Sequence, residues 1–324
     1  MLISVILFAV GLVLLIKGGD WFVDGATGIA KCFNLPDIVV GATVVSIGTT
    51  LPEVMVSTTG ALAGSGAMAY GNAIGSIICN TALIAAISIT CNPGPVNVKS
   101  MKTPAIFFFC SAALYCLAAY VLGTFPRWMG FAMLVIFVVY MILTVRNGMR
   151  NPDSVAGEEE EESKPKALWQ ELLLLVVGAA VIAIGADLLV EHGQAIAIGL
   201  GVPETVVALL FVALGTSLPE LVTTITSLKK GRASLGVGNV IGANVFNLVL
   251  VSGVAVSLAP FDVPVENTLL NTGLNLSLVF DIPVMLGVMS LMIFPALLTK
   301  KLSRWQGILL LGIYLAFCVC QFVL

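Results

Sequence analysis

The stretch GTTLPE, residues 48–53, decides how the whole chain is read, because GTSLPE returns at residues 215–220. Each copy lies inside an apolar run long enough to cross a bilayer, and each holds a proline followed by a glutamate. Both residues are costly there. Proline lacks an amide hydrogen and clashes with the carbonyl four residues back. A carboxylate inside hydrocarbon is rare unless something pairs with it, and it marks function more often than packing.

The surroundings of the two motifs set the class of the protein. The chain has 324 residues, of which 59% are hydrophobic and 10% charged, and its mean hydropathy is +1.07. Runs of about 20 apolar residues match the hydrocarbon thickness of a membrane. Ten spans are predicted: 2–16 (extending toward Lys31), 37–62, 69–90, 104–122, 128–145, 168–190, 205–228, 234–259, 277–299 and 305–324. The runs are continuous and do not alternate, which favours helices over a barrel. Met1 to Ile16 is apolar from its start, with no basic leader and no clear cleavage site, so it is expected to be a first helix.

Threading ten helices with the N-terminus external leaves Arg127 as the only one of 15 basic residues outside. That satisfies the positive-inside rule, and the opposite orientation violates it almost everywhere. The expectation is a multi-pass cell-membrane protein with both termini external. The one long polar stretch, NPDSVAGEEEEESKPK at 151–166, then becomes a cytoplasmic linker whose successive glutamates repel one another. The seven cysteines show no CxxC spacing and read as small buried hydrophobes.

The linker divides two repeats, with a first five-helix unit over 1–150, the linker over 151–167 and a second unit over 168–324. At a constant shift of 167, Asp20 meets Asp187, Pro36 meets Pro203, Gly48 meets Gly215, Pro52 meets Pro219 and Glu53 meets Glu220. Gly71, Asn72, Gly75 and Asn80 likewise meet Gly238, Asn239, Gly242 and Asn247, with no gap. Five helices per unit is odd, so the second copy enters the membrane from the opposite side. The predicted fold is all-α and membrane-integral, with ten transmembrane helices in two inverted five-helix repeats, an arrangement typical of secondary transporters.

In each half two neighbouring helices carry the polar residues. VSIGTTLPE (45–53) and VALGTSLPE (212–220) are expected to break at the proline, freeing carbonyls around Gly48 and Gly215. A freed carbonyl in hydrocarbon costs several kcal/mol unless something binds it. The next helix holds GNAIGSIICN (71–80) or GNVIGANVFN (238–247). Asn72, Ser76 and Asn80 form one helical stripe; in the second copy it reads Asn239, Ala243, Asn247. Gathered at a pseudo-two-fold axis, Glu53, Glu220, the amides, the hydroxyls and the freed carbonyls make an all-oxygen shell. Hard cations prefer such a shell, and two carboxylates balance one calcium ion; sodium uses oxygens of similar size. Asp281, before Pro283, reads as a helix N-cap.

These motifs resemble the two alpha repeats of the calcium/cation antiporter superfamily, which includes the sodium/calcium exchangers, and look especially like its small prokaryotic members. The resemblance covers both halves. It implies a central ion-binding diamond formed by the second, third, seventh and eighth helices, with the first and sixth sliding past the rest. Carried over by position, it makes Glu53 and Glu220 the central ligands. It gives backbone carbonyls from Thr49, Thr216, Ser46 and Ala213, side-chain oxygens from Thr50, Ser217 and Ser76 at flanking sodium sites, and a central amide from Asn80. Two positions depart from the pattern: many exchangers have Ser where this chain has Ala243 and Asp where it has Asn247. The expected activity is antiport of Ca2+ against Na+ by alternating access. Proton/calcium exchange at the same glutamates is the alternative, since members of the superfamily driven by protons also use two glutamates. A passive channel is a third reading, distinguished by flux without a counter-ion. An intramembrane enzyme finds no support in HExxH or a nucleophile–His pair. No cofactor and no nucleic-acid partner are expected; the ions are cargo, the lipid bilayer is the surroundings, and one chain suffices for the site.

Overall fold

The computed structural model describes residues 2–150, 167–200, 215–264 and 275–323. The described residues are helical, apart from short connections and two two-residue ribbons. The helices are α1 (Leu2–Phe33), α2 (Asp37–Leu62), α3 (Gly66–Cys91), α4 (Val98–Leu122), α5 (Arg127–Arg150), α6 (Leu168–Gly199), α7 (Leu218–Lys229), α8 (Ala233–Leu258), α9 (Ser277–Thr299) and α10 (Arg304–Val323). Nine of them are, among the described residues, long and apolar enough to cross a membrane. The tenth, α7, has 12 residues; residues 205–214 of its predicted span lie outside the described residues, as do Pro203 and most of the 151–167 linker.

Polarity is arranged inside-out. Val135 is 62% exposed and Leu298 83%, whereas Glu53, Asn80, Glu220 and Asn247 are fully buried. With lipid as solvent there is no penalty for apolar surface, and polar side chains gather where other helices cover them.

The first helices of the two halves, α1 and α6, run antiparallel and touch at glycines. A Cβ on Gly11 would lie 2.9 Å from the Gly185 carbonyl oxygen, and one on Gly185 would lie 2.9 Å from that of Gly11. Both helices have 32 residues, longer than the spans read from the sequence. At 1.5 Å per residue that is about 48 Å, so they tilt or project beyond a core about 30 Å thick. Hydropathy windows missed this because Asp20, Asp24, Asp187 and Glu191 dilute the far turns.

Behind this pair, α2 and α8 cross at Gly41 and Gly238. A Cβ on Gly41 would collide with the Leu235 carbonyl oxygen, and one on Gly238 with that of Ile38. Two-residue ribbons join the halves: β1 (Gly94–Pro95) pairs with β4 (Lys301–Leu302), and β2 (Thr124–Phe125) with β3 (Phe261–Asp262). β1 and β3 are related by the same shift of 167. Because α4 runs from β1 to β2, the two ribbons lie at opposite ends of the bundle. Asp281 does not cap a helix as expected. It sits in a helical conformation with no capping bond, one turn inside a helix that begins earlier, and its Oδ1 accepts from Gln321 Nε2 at 2.6 Å.

Replacing Gly238 by valine forces side-chain atoms into the Ile38 backbone. It is expected to lower stability by about 1–3 kcal/mol, read as an earlier thermal transition in detergent. Gly287→Ala, where a Cβ meets nothing within 4 Å among the described residues, is the control and should stay within about 0.5 kcal/mol.

Candidate ion-binding site

The two LPE motifs are alike in sequence and different in backbone. In the first half Ser46–Leu62 is one continuous α-helix with Pro52 inside it, preceded by a π turn at Gly41–Val45. The expected break at Pro52 is therefore absent. The proline removes the hydrogen bond to the Gly48 carbonyl, but the chain stays helical because neighbouring helices hold it. In the second half Thr216 and Ser217 form a turn, and the helix restarts at Leu218 with Pro219 in its first turn, where a missing amide hydrogen costs nothing.

The GN motifs match more closely. α3 carries a π turn at Asn80–Ala85 and α8 one at Asn247–Val251, both starting at the mirrored asparagine. A π turn inserts a residue into the helical register and loosens the local carbonyls, a feature often found at functional sites. Nothing in the residue pattern marks these turns, since a register change alters no composition.

Glu53 and Glu220 are both 0% exposed. Among the described residues none of their four carboxylate oxygens has a hydrogen-bond partner, and the same holds for Thr50 Oγ1, Ser217 Oγ and both polar atoms of Asn80 and of Asn247. The Glu220 charge acts directly on Glu53. Thr49 and Thr50 lie beside the Glu220 carboxyl without bonding to it. Glu53, Thr50, Glu220, Ser217, Asn80 and Asn247 are thus all buried within the bundle, each with side-chain oxygen that has no hydrogen-bond partner among the described residues.

Other predicted residues are already engaged. Ser46 Oγ lies 2.8 Å from the Gly41 carbonyl and 3.0 Å from that of Asn239, and its single proton serves one of them at a time. Thr49 Oγ1 donates to Asn239 Oδ1 at 3.1 Å. Ser76 Oγ donates to Asn72 Oδ1 at 3.4 Å, and Asn72 Nδ2 donates to the Glu53 carbonyl at 3.2 Å and to Ser57 Oγ at 2.8 Å. Thr216 is half-buried in the turn. Ala213 lies outside the described residues.

One buried polar residue beside this cluster went unnoticed in the sequence. Asn244, fully buried, donates from Nδ2 to Thr81 Oγ1 at 2.7 Å and to Met289 Sδ at 3.1 Å. It stands off the Asn239–Asn247 stripe and ties α8 to α3 and α9. Its signal was available: an amide in an apolar membrane run requires a partner.

Mirrored helices, crossing glycines and a dry pair of carboxylates define a membrane transporter of the inverted-repeat class, not an enzyme. The comparisons carry this to a family. The sodium/calcium exchanger protein family matches residues 3–146 and 171–323, and the chain belongs to that family. The chain is 29% identical to the sodium/calcium exchanger MaX1 of Methanosarcina acetivorans over 99% of both chains. It is 33% identical to an uncharacterized membrane protein of Methanocaldococcus jannaschii over 95% of this chain and 94% of that one. Among solved structures, the sodium-calcium exchanger NCX_Mj soaked with Na+ and Sr2+ superposes with a TM-score of 0.78 at 32% identity, covering 98% of each chain.

Proposed function

We propose that this antiporter exchanges Ca2+ against Na+ at a mid-membrane site built on Glu53 and Glu220. The observation that carries the reading is the pair itself: two fully buried carboxylates on mirrored helices, close enough for one charge to act on the other and with no hydrogen-bond partner among the described residues. Uncompensated buried charge costs several kcal/mol per group. A dehydrated cation repays that cost, and Thr50, Ser217, Asn80 and Asn247 complete its oxygen shell. Thr49, Thr216, Ser46 and Ala213 supply main-chain carbonyls, and Ser76 a hydroxyl at the flank. Calcium accepts six to eight such oxygens in irregular geometry.

Competition follows from charge, because one pair of carboxylates cannot neutralise a divalent ion and a sodium load together. Alternating access follows as well. Moving the pair across the apolar barrier is feasible when cations offset it and costly otherwise. In this reading residues 1–150 and 168–324 are the two inverted units. Both termini face outward and the 151–167 linker is cytoplasmic, so the β1–β4 ribbon lies on the cytoplasmic side and β2–β3 on the external side. A proton-driven cycle would use the same glutamates, and imposing a sodium gradient at fixed pH, then a pH gradient without sodium, separates the two.

Two outcomes are expected. Glu53→Gln and Glu220→Gln each remove one partner of the buried ion, a loss of about 3–5 kcal/mol. Calcium uptake into sodium-loaded vesicles should then fall more than about a hundredfold; uptake unchanged by both substitutions sinks the site. Calcium at about a hundred times its Kd should stabilise the detergent-solubilised protein by about 2.7 kcal/mol against heat. Both variants should lose that protection while still folding.

A further inference from the structure

We propose that the cleft beside the β1–β4 ribbon holds the phosphate of an anionic phospholipid, with Lys300 and Lys301 as its cationic contacts. The two ribbons, made comparable by the repeat, carry the inference, and the glutamate pair plays no part in it.

The cleft is open, with a volume of about 530 Å3, and is lined by Pro93, Gly94, Pro95 and the turn from Thr299 to Arg304. Lys300, Lys301 and Arg304 are exposed cations in its wall, and none of the lining residues is acidic. Among the described residues no carboxylate pairs with any of the three. Arg304 is partly engaged, since its Nε donates to the Thr90 carbonyl at 3.0 Å and holds α10 to the end of α3. Neither lysine side chain has a hydrogen-bond partner among the described residues.

The mirrored ribbon shows that the fold does not require this arrangement. The shift of 167 carries Gly94 to Phe261 and Pro95 to Asp262. On the partner strands a shift of 177 carries Gly123 to Lys300, Thr124 to Lys301 and Arg127 to Arg304. The pairing agrees: Gly94 opposes Leu302 as Phe261 opposes Phe125, and Pro95 opposes Lys301 as Asp262 opposes Thr124. Arg127 does what Arg304 does, donating to the Leu258 carbonyl at 3.2 Å at the end of α8. The arginine therefore has the same structural task in both halves, and the rest differs. In β2–β3 the Phe261 ring lies 5.3 Å from that of Phe125. At Gly94 an added Cβ would meet nothing within 4 Å among the described residues. The space is filled at one end and open at the other, and the open end carries two lysines where the filled end has glycine and threonine.

The backbone adds to this contrast. Both turns pass through a left-handed residue, Gly123 with φ 67° and Lys300 with φ 57°. Glycine takes that conformation freely, and lysine takes it at a cost. A lysine kept where glycine serves in the mirrored turn points to a use for its ammonium group.

The surroundings favour a lipid over a soluble anion. Leu298, just before the cleft in sequence, is 83% exposed, and Trp305, just after it, is 53% exposed. Tryptophan at such a level marks a membrane–water interface. A ligand here meets ammonium groups and apolar side chains together, which suits a molecule with both a phosphate and acyl chains. Basic pockets at the ends of membrane helices bind anionic head groups in this way.

The test is lipid binding to the delipidated full chain in detergent, read by native mass spectrometry with phosphatidylglycerol and phosphatidylcholine of the same acyl chains. Phosphatidylglycerol is expected to bind about 30-fold more tightly, the roughly 2 kcal/mol of two lysines at an anionic surface. Lys300→Gly/Lys301→Thr imports the residues of the mirrored turn and should abolish that preference. Its thermal transition without lipid should change little, because glycine suits the left-handed turn. Lys301→Thr alone, which leaves that residue untouched, should reduce the preference about fivefold. Gly94→Phe should weaken it by filling the cleft, and Lys99→Gln/Lys102→Gln, at the same end of the bundle but outside the cleft, should retain it. Equal affinity for the two lipids overturns the proposal, as does a preference that survives in Lys300→Gly/Lys301→Thr. An equal loss in Lys99→Gln/Lys102→Gln also overturns it, because the effect then belongs to the general field of that end. sn-Glycerol 3-phosphate at the same concentration should leave the thermal transition unmoved. Protection equal to that of phosphatidylglycerol would assign the cleft to a soluble anion and overturn the lipid.

Discussion

The structure depends on one electrostatic constraint: two carboxylates fully buried in the bundle, with no basic side chain paired to them among the described residues. Glu53 and Glu220 belong to different halves of the chain, yet both are fully buried, with the Glu220 charge close enough to bear on Glu53. A fold selected for stability alone would replace such a pair with apolar side chains of similar volume, which is often neutral or stabilising. Keeping it requires that the surroundings tolerate strain, and the surroundings are built to do so. Gly41 and Gly238 bring the backbones of α2 and α8 into contact, and that close packing supplies stability which the polar centre does not.

Within the repeat symmetry, equivalent residues are used differently. Asn72 stays inside its own half, donating to the Glu53 carbonyl and Ser57. Its mirror, Asn239, reaches into the other half and accepts from Thr49, with Ser46 beside it. The backbone repeats this asymmetry, continuous through Pro52 and turned before Pro219. Two copies of one motif thus hold two arrangements at once. The difference lies in a few hydrogen bonds, each worth about 0.5–1.5 kcal/mol, and in where the proline falls within the helix.

Much of this was legible in the sequence, and the reasons are specific. The shift of 167 works because Pro-Glu and Gly-Asn pairs are too unusual in apolar helices to coincide by chance. The span 37–62 was read to the residue because Pro36 and the Ala63–Ser65 turn bound it. The π turns at Asn80 and Asn247 were not legible, because they change hydrogen-bond register and leave hydropathy untouched. Nor was the continuity of the helix through Pro52, which neighbouring helices enforce against local preference. Asp281 misled because a carboxylate before a proline usually caps a helix, whereas here the helix had begun a turn earlier and the side chain bonded Gln321 of another helix.

The ribbons clarify which parts of the bundle are tied together. β1–β4 fastens the loop between α3 and α4 to that between α9 and α10, and β2–β3 fastens the α4–α5 loop to the α8–α9 loop. Neither ribbon includes α1 or α6. Among the described residues that pair meets the site helices through side-chain packing, with Phe22 of α1 against Gly48 and Val190 of α6 against Gly215. Its polar tether is Lys230, which donates to the Asp20 carbonyl at 3.0 Å and pairs with Asp24 at 2.7 Å. The Asp24 side chain is 56% exposed, and a pair so open to solvent is worth about 0–1 kcal/mol. The long α1–α6 pair rests on Gly48 and Gly215, five residues before each glutamate. The ribbons and the Gly41–Gly238 crossing belong to other helices, so the packing of the α1–α6 pair and the electrostatics of the buried carboxylates meet at the same two motifs.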